Sequence, residues 1–296
     1  MQRRQVLLVD VFADEPTGGR TVAVDPTGEL SESQKRAVAS ELGTSGVASA
    51  EGEDLHYTDC DGSTAIVSGA VAGAAGLYNR GVIAAGEYEL HVDERTAGPF
   101  FVELDESGTV TVEMPSLTPE HPSLDLQTVA TALGIDVAAM QDVGADLPLA
   151  TVEAFGGTLL VPVNFLQHLS GATPSVAPLS SLLSEAEASR AFVFTFDTLG
   201  AHTDVHARVF DPSASGNERP ASGVGAAACV AHLAEHAVFD GEREEIAIEC
   251  GQFLDRPGTI RATVAEKPLV GGNALTSLDS ELAIPEDEGD DGIIEL

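Results

Sequence analysis

The stretch from Asn217 to Leu233 reads N-E-R-P-A-S-G-V-G-A-A-A-C-V-A-H-L: a turn holding Pro and Gly, then a helix of very small residues, with Arg219 at its mouth. A Ser-Gly pair at a helix start presents free backbone N–H groups and the positive end of the helix dipole, which suits a carboxylate. Ser222 and Gly223 form one such pair, and Ser68 and Gly69 form another. Taken singly, each Ser is equally an ordinary N-cap and each Gly a packing residue. The two segments resemble each other, S-G-A-V-A-G-A-A-G-L at 68–77 against S-G-V-G-A-A-A-C-V-A at 222–231, so an internal duplication is expected. If the halves are related by a pseudo-twofold, both helix starts can converge on one cleft.

The elements that must position these pairs follow from periodicity and punctuation. Strands are predicted at 6–12 and 21–24, joined across D-E-P-T-G-G. A helix capped by Ser31, with Gln34 at capping-box spacing, should run to Leu42 and stop at Gly43. The interior helix at 68–78 comes next, then strands at 88–92, 100–104 and 110–115. The proline-bearing connector 115–122 is the candidate boundary. Beyond it a helix is predicted at 126–133, strands at 151–154 and 158–163, a helix at 178–188, and strands at 191–196 and 205–210. The small-residue helix after Ser222 is followed by strands at 245–249 and 259–264. Strands, a central helix, then strands occurs twice, giving an α+β architecture with halves at 1–117 and 118–284. The remaining 285–296 is an acidic tail expected to be disordered.

Composition narrows the partners. The chain of 296 residues carries 48 acids against 14 bases, a net charge of −34, and its only lysines are Lys35 and Lys267. The acids are spread along the whole length, a surface that self-repels at low salt and is tolerable where the Debye length falls to roughly 3 Å at molar salt. A halophilic cytoplasm is the expected setting. Nucleic acid and anionic membrane are excluded as partners, since both need clustered Lys and Arg. The first apolar run stops at Asp10, too short for a signal sequence, and no segment has the length of a membrane span. Cys60, Cys229 and Cys250 are odd in number and lack metal-type spacing, so neither a disulfide framework nor a metal site is expected.

Several motifs together resemble the phenazine-biosynthesis PhzF-like family, which has the diaminopimelate-epimerase fold. They are V-D-V-F-A-D-E-P-T-G-G at 9–19, A-S-E-L-G-T-S-G-V-A at 39–48, H-A-R-V-F-D-P-S-A-S-G-N-E-R-P-A-S-G at 206–223, I-E-C-G-Q-F-L-D-R-P-G-T-I at 248–260, and V-G-G at 270–272. The resemblance covers nearly the whole chain. It implies two pseudo-symmetric halves, each a sheet or barrel wrapped around a central helix, with a cleft between them for a small carboxylate. It also implies a cofactor-independent isomerase or epimerase, often a homodimer, in which a Glu, a His and an Asp move a proton.

This sequence departs from the pattern at those places. The family's Glu corresponds to Gly46, its His to Ser68 (or Ala70 if the glycines are matched), and its Asp to Arg219. The asparagine of the family's G-N-P corresponds to Arg20, and the serine after the helix-start glycine to Val224. Glu218 is the remaining acid beside the expected cleft, better suited to a salt bridge with a nearby Arg than to catalysis. Glu41 is expected to be solvated, His206 structural, and His56 near the cleft. Arg20 and Arg219 can add to anion binding by paired hydrogen bonds, or can each pair with a local acid. The expected ligand-binding set is Arg20, Ser45, Ser68, Gly69, Arg219, Ser222 and Gly223. Two readings stand: an isomerase with displaced catalytic groups, or a catalytically inactive relative that binds a small anion or serves as an interaction module.

Overall fold

The computed structural model describes residues 2–62, 65–92, 99–143, 147–239 and 243–286. All but two residues of the acidic tail lie outside that set. The first half contains β1 (Gln2–Val11), β2 (Arg20–Asp25), α1 (Glu32–Leu42), β3 (Gly46–Glu51), β4 (Asp54–Asp59), α2 (Ile66–Asn79), β5 (Gly86–Val92), β6 (Phe100–Leu104) and β7 (Val110–Glu113). After the connector come α3 (Leu126–Leu133), β8 (Ala150–Val152), β9 (Thr158–Pro162), α4 (Leu166–Gly171), α5 (Val176–Glu185), β10 (Arg190–Thr195), β11 (Val205–Phe210) and β12 (Glu218–Arg219). The chain closes with α6 (Gly223–Glu235), β13 (Glu245–Cys250), β14 (Gly258–Thr263), β15 (Leu269–Gly272) and β16 (Ala274–Ile284).

The strands hydrogen-bond in one continuous path, β16-β1-β2-β3-β4-β5-β6-β7-β15-β14-β13-β11-β10-β9-β8, with β12 pairing onto β11. A repeat is visible in the pairing directions. Along β1 to β7 successive pairs are antiparallel, parallel, antiparallel, parallel, antiparallel, antiparallel. Along β8-β9-β10-β11-β13-β14-β15 the same series repeats. The α2 helix makes the crossover between parallel β4 and β5, and α6 makes the one between parallel β11 and β13. The halves join where β7 and β15 pair antiparallel, as a twofold between them requires.

A sheet with a helix at its centre must be apolar inside, and α2 meets that demand by lacking bulk. Twelve of its fourteen residues, Ile66 to Leu77, are buried. Strands β1, β2, β3, β4, β6, β7, β15 and β16 all touch it, so the sheet curls around the helix. Both central helices share one core, which includes Val71 and Leu77 of α2 and Cys229 and Val230 of α6. A second layer covers the outer face. Val38 and Ala39 of α1 pack on Val6, Ala23 and Val47. Leu133 of α3 and Leu179, Leu182 and Leu183 of α5 pack on Leu159, Val161 and Val193. Strands β10 and β11 are therefore buried along their whole length, the polar His206 and Arg208 of β11 included, whereas β6 alternates buried and exposed.

The capping box on α1 forms as its spacing predicts: Ser31 caps, Gln34 bonds back, and Gly43 ends the helix in the left-handed region at φ 66°. Two differences bear on the site. The α2 helix starts at Ile66, two residues before the predicted start, with Ala65 as its N-cap and no side-chain cap. The segment 274–284, expected in the second half, pairs along its whole length with β1 in the first. It escapes periodicity because seven consecutive residues, Thr276–Leu282, present only one that is not fully exposed, so no apolar face marks the strand.

Candidate functional site

Between the halves lies a pocket of about 540 Å³. Its first-half wall includes Arg20 at the start of β2, Ser45 in the turn before β3, and Asp61 after β4. Its second-half wall includes Ser213, Glu218, Arg219 and Arg256. Of the seven expected ligand-binding residues, the structure thus brings Arg20, Ser45 and Arg219 to the pocket. Ser68, Gly69, Ser222 and Gly223 are buried behind it and do not line it.

The two helix starts fail to become twin anion receptors for different reasons. Ser68 sits at the third helical position of α2, one turn inside the expected place, because Ala65 caps. Ser222 does cap α6, accepting from the Gly225 N–H at 3.0 Å. Gly223 is a packing residue: a Cβ there would come within 2.6 Å of Val67 on α2, so the helix starts abut each other rather than a ligand.

Arg219 is tied to acids on both sides. Its Nε donates to Asp211 at 2.6 Å, one terminal nitrogen to Asp61 at 2.8 Å, and the other to the Ser213 hydroxyl at 3.2 Å. Since Asp61 belongs to the first half and Asp211 to the second, Arg219 straps the two walls together. Burial opposes the Asp211 charge, but hydrogen bonds from Ser213 and Arg219 outweigh it and hold this carboxyl below its usual range. For Arg219 burial opposes the charge as well, and the bonds to Asp211 and Asp61 raise its pKa in spite of it. Asp61 and Asp211 are the partners that sequence reasoning missed; Asp211 lies only 8 positions from Arg219, whereas the Asp61 pairing spans 158 and no local signal announces it.

Arg20 is buried, with a long contact of 3.5 Å to the Ala221 carbonyl. Burial, then the nearby charge of Arg219, lower its pKa, though a guanidinium remains protonated at neutral pH. Arg256, a third arginine of the pocket, donates to the Gly18 and Gly19 carbonyls and to Asp10. Glu218 is engaged: Arg208 grips both its carboxylate oxygens, at 2.9 and 2.6 Å, while also donating to the carbonyls of Leu169 and Ala172.

Tyr57, which sequence reasoning did not single out, lies against Gly46, the position that corresponds to the family's Glu and is also closed by the Thr58 carbonyl, and against Gly69, the neighbour of Ser68. A Cβ added at Gly46 would lie 2.6 Å from its hydroxyl, and one added at Gly69 would enter its ring. The ring is 2% exposed, and its hydroxyl donates to Ser45 at 3.4 Å. Burial pushes this phenol well above its usual range, only partly opposed by the charge of Arg20 and the bond with Ser45. It stays a neutral phenol at any ordinary pH.

The other candidates fall away from the pocket. Glu41 is exposed on α1. His56 stacks on His91, ring centres 5.1 Å apart, and does not line the pocket. His206 is wholly buried against Glu249 at 2.6 Å. The three cysteines are free thiols; burial raises the pKa of each, that of Cys60 to about 11 and that of Cys250 to about 12.

Known proteins give this arrangement a family. The curated relative "Uncharacterized isomerase YfhB" of Bacillus subtilis is 24% identical over 290 residues, covering 94% of this chain and 95% of that protein. The crystal structure of a PhzF-family phenazine biosynthesis protein from Bacillus anthracis superposes with a TM-score of 0.81 at 20% identity, covering 96% of this chain and all of that one. A predicted epimerase, PA4716 of Pseudomonas aeruginosa, superposes at 0.74 with 21% identity, covering 94% and 99% of the two chains. The family model described as "Phenazine biosynthesis-like protein" matches residues 71–280, which is 210 of 296 positions. With both the fold and that match in hand, the chain belongs to the PhzC-PhzF family.

Proposed function

We propose that the pocket between the halves binds a small carboxylate, and that the protein does so without the proton transfer its family resemblance implies. The observation that carries the binding is the convergence of Arg20, Arg219 and Arg256 on one pocket in a chain with only 14 bases. A volume of about 540 Å³ suits a small molecule. An arriving carboxylate can replace Asp61, whose side chain is 33% exposed, on the outer nitrogen of Arg219 while Asp211 keeps Nε in place.

The loss of chemistry is supported by what stands at the family's positions. General acid–base catalysis needs a group whose pKa lies near working pH and within about 3 Å of the proton. Gly46 and Ser68 supply no such group, Arg219 is ion-paired, Glu218 is held by Arg208, and the Tyr57 phenol is far too weak an acid.

The competing reading is a cofactor-independent isomerase acting on a small carboxylate, favoured by the family and by the isomerase name of the Bacillus subtilis relative. One experiment separates them. In molar KCl, chosen because the net charge of −34 supports a halophilic cytoplasmic setting, the protein is heated with a panel of amino and hydroxy acids, and the same mixtures are followed in D₂O. Saturable thermal stabilisation that Arg219→Ala abolishes, without deuterium entering beside the carboxylate, is the expected result. Deuterium wash-in that Arg219→Ala or Glu218→Gln removes would restore the isomerase reading. No stabilisation by any acid of the panel would remove the carboxylate. Sedimentation in the same buffer tests the homodimer that the family suggests.

A further inference from the structure

Four side chains outside the pocket converge at the far end of α6. His232 and Glu235 occupy its last turn and His236 is its C-cap, so residues i, i+3 and i+4 share one face. His121 faces them from the connector between the halves, next to Glu120, which bridges to Thr151. One donor atom from each of the four lies within 4.8 Å of all the others.

All three rings address a single oxygen. Glu235 Oε2 is 3.3 Å from His121 Nε2, 3.9 Å from His232 Nδ1 and 3.9 Å from His236 Nε2. The opposite nitrogens of two rings meet backbone carbonyls: His121 Nδ1 faces Leu149 O at 3.2 Å, and His232 Nε2 faces Pro148 O at 3.1 Å. A carbonyl only accepts, so each nitrogen facing one carries the proton, and His121 Nε2 and His232 Nδ1 are left as bare lone pairs aimed inward. Ligating histidines are held in the same way in metal sites.

Two of the inner nitrogens lack a hydrogen bond. His232 is fully buried, and its Nδ1 has no hydrogen bond; nor has the buried Nε2 of His236. An unpaired buried nitrogen is destabilising, and two side by side in one cluster call for an occupant. The C-terminal end of a helix dipole also favours a cation.

We propose that His121, His232, Glu235 and His236 bind a divalent transition metal of the zinc class in a four-ligand site. Three imidazoles and one carboxylate suit zinc, cobalt, nickel or copper far better than magnesium or calcium. Metal–nitrogen and metal–oxygen bonds of about 2.0–2.2 Å in a tetrahedron give donor separations of about 3.3–3.5 Å. The His121–Glu235 pair already stands at 3.3 Å, and the other separations, at most 4.8 Å, can close through His121 and Glu235, whose side chains are 40% and 42% exposed. Four protein ligands leave no open position, so the ion is structural: it pins the connector between the halves to the end of a central helix. The expectation of no metal site, drawn from cysteine spacing, overlooked H-L-A-E-H at 232–236 because the fourth ligand lies 111 positions upstream of the first residue of that run.

The test uses the untagged full chain in molar KCl with excess Mg²⁺, which occupies the acidic surface. After treatment with a chelator, Co²⁺ is titrated and its visible absorption followed, and Zn²⁺ is then added. One equivalent of Co²⁺ should bind with the intense bands of a tetrahedral site, and Zn²⁺ should displace it and raise the melting temperature. His121→Ala, on the exposed connector, and His236→Ala should each weaken binding at least about tenfold and remove the thermal gain. Absence of saturable Co²⁺ binding at tens of micromolar, or one-equivalent binding that both variants leave unchanged, overturns the site.

Discussion

The two halves repeat one pairing scheme, and matching places in that scheme hold different chemistry. At the centre of the parallel β4–β5 pair His56 stands beside His91; at the centre of the parallel β11–β13 pair His206 stands beside Glu249. The first pair is half-exposed and stacked ring on ring. The second is buried, and Glu249 accepts from His206, from the Leu199 and Gly200 N–H groups and from Thr203. The central helices differ in the same spirit. A glycine in the first turns of each lies under an aromatic ring, Gly69 under Tyr57 in α2 and Gly225 under Phe192 in α6. Only the ring in the first half carries a hydroxyl, and it faces Ser45 on the pocket wall. The repeated scheme sets the backbone and leaves the polar groups free to differ.

The strongest way to break this comparison is to fill a glycine. In Gly69→Ala the new methyl enters the Tyr57 ring, and the loss of stability should be about 3 kcal/mol by urea denaturation in molar KCl. The same change in a Tyr57→Leu background should cost far less, because the ring it strikes is gone. Equal costs in both backgrounds would mean that Tyr57 does not set the shape of the first-half site. Next in size is Glu249. Burial opposes its charge, but the bonds from His206, the two N–H groups and Thr203 hold its pKa at about 2, below the ordinary 4.5. A depressed carboxylate stabilises the fold above its unfolded value, and that stability is lost as pH falls from about 4.5 toward 2. Glu249→Gln should remove about 2–3 kcal/mol above pH 5 and abolish the acid limb. A limb that persists in the variant would assign it to another group.

Much of this fold is legible in the sequence, and what is illegible has physical causes. Strands such as 100–104 and 205–210 and the helix 126–133 have one period and clear punctuation, and they form where predicted. The antiparallel β3 and β4 are joined by E-G-E-D and carry Ser, Glu, Asp and His among their apolar residues, so neither shows a clean alternation. Family positions locate the pocket through Arg20 and Arg219, but the partner Asp61 arises only when distant segments meet, and the nearer partners Asp211 and Tyr57 are fixed only by which way the folded strands turn their side chains. Reading Ser68 as a cap goes wrong for a specific reason. Identity with the second half suggests a matching cap, yet the first-half helix begins earlier, on Ala65.

That misreading yields the next prediction. Ser222→Ala removes the acceptor for the Gly225 N–H and should cost about 1 kcal/mol in chemical denaturation. Ser68→Ala removes no cap and should cost less, although the two serines precede similar runs of small residues. If both substitutions cost the same, the helix starts are equivalent after all, and the difference between the halves narrows to their aromatic rings.

The smallest effect sharpens the contrast between the paired histidines. Burial, the largest influence, lowers the pKa of His56, outweighing the attraction of Glu51, and the charge of His91 acts in the same direction. A base with a depressed folded pKa binds fewer protons folded than unfolded, so stability rises with pH up to the unfolded value near 6.5 and is lost below it as the chain gains by unfolding and taking up the proton. With its side chain about one-third exposed, His56 should contribute only a shallow slope just below pH 6.5, well separated from the Glu249 limb. His56→Asn should flatten that slope and leave the lower limb untouched. The first half then titrates weakly near neutrality and the second strongly in acid, although the two pairs occupy one place in the repeated scheme. A slope that survives His56→Asn would move the neutral-range titration to another histidine and remove this difference between the halves.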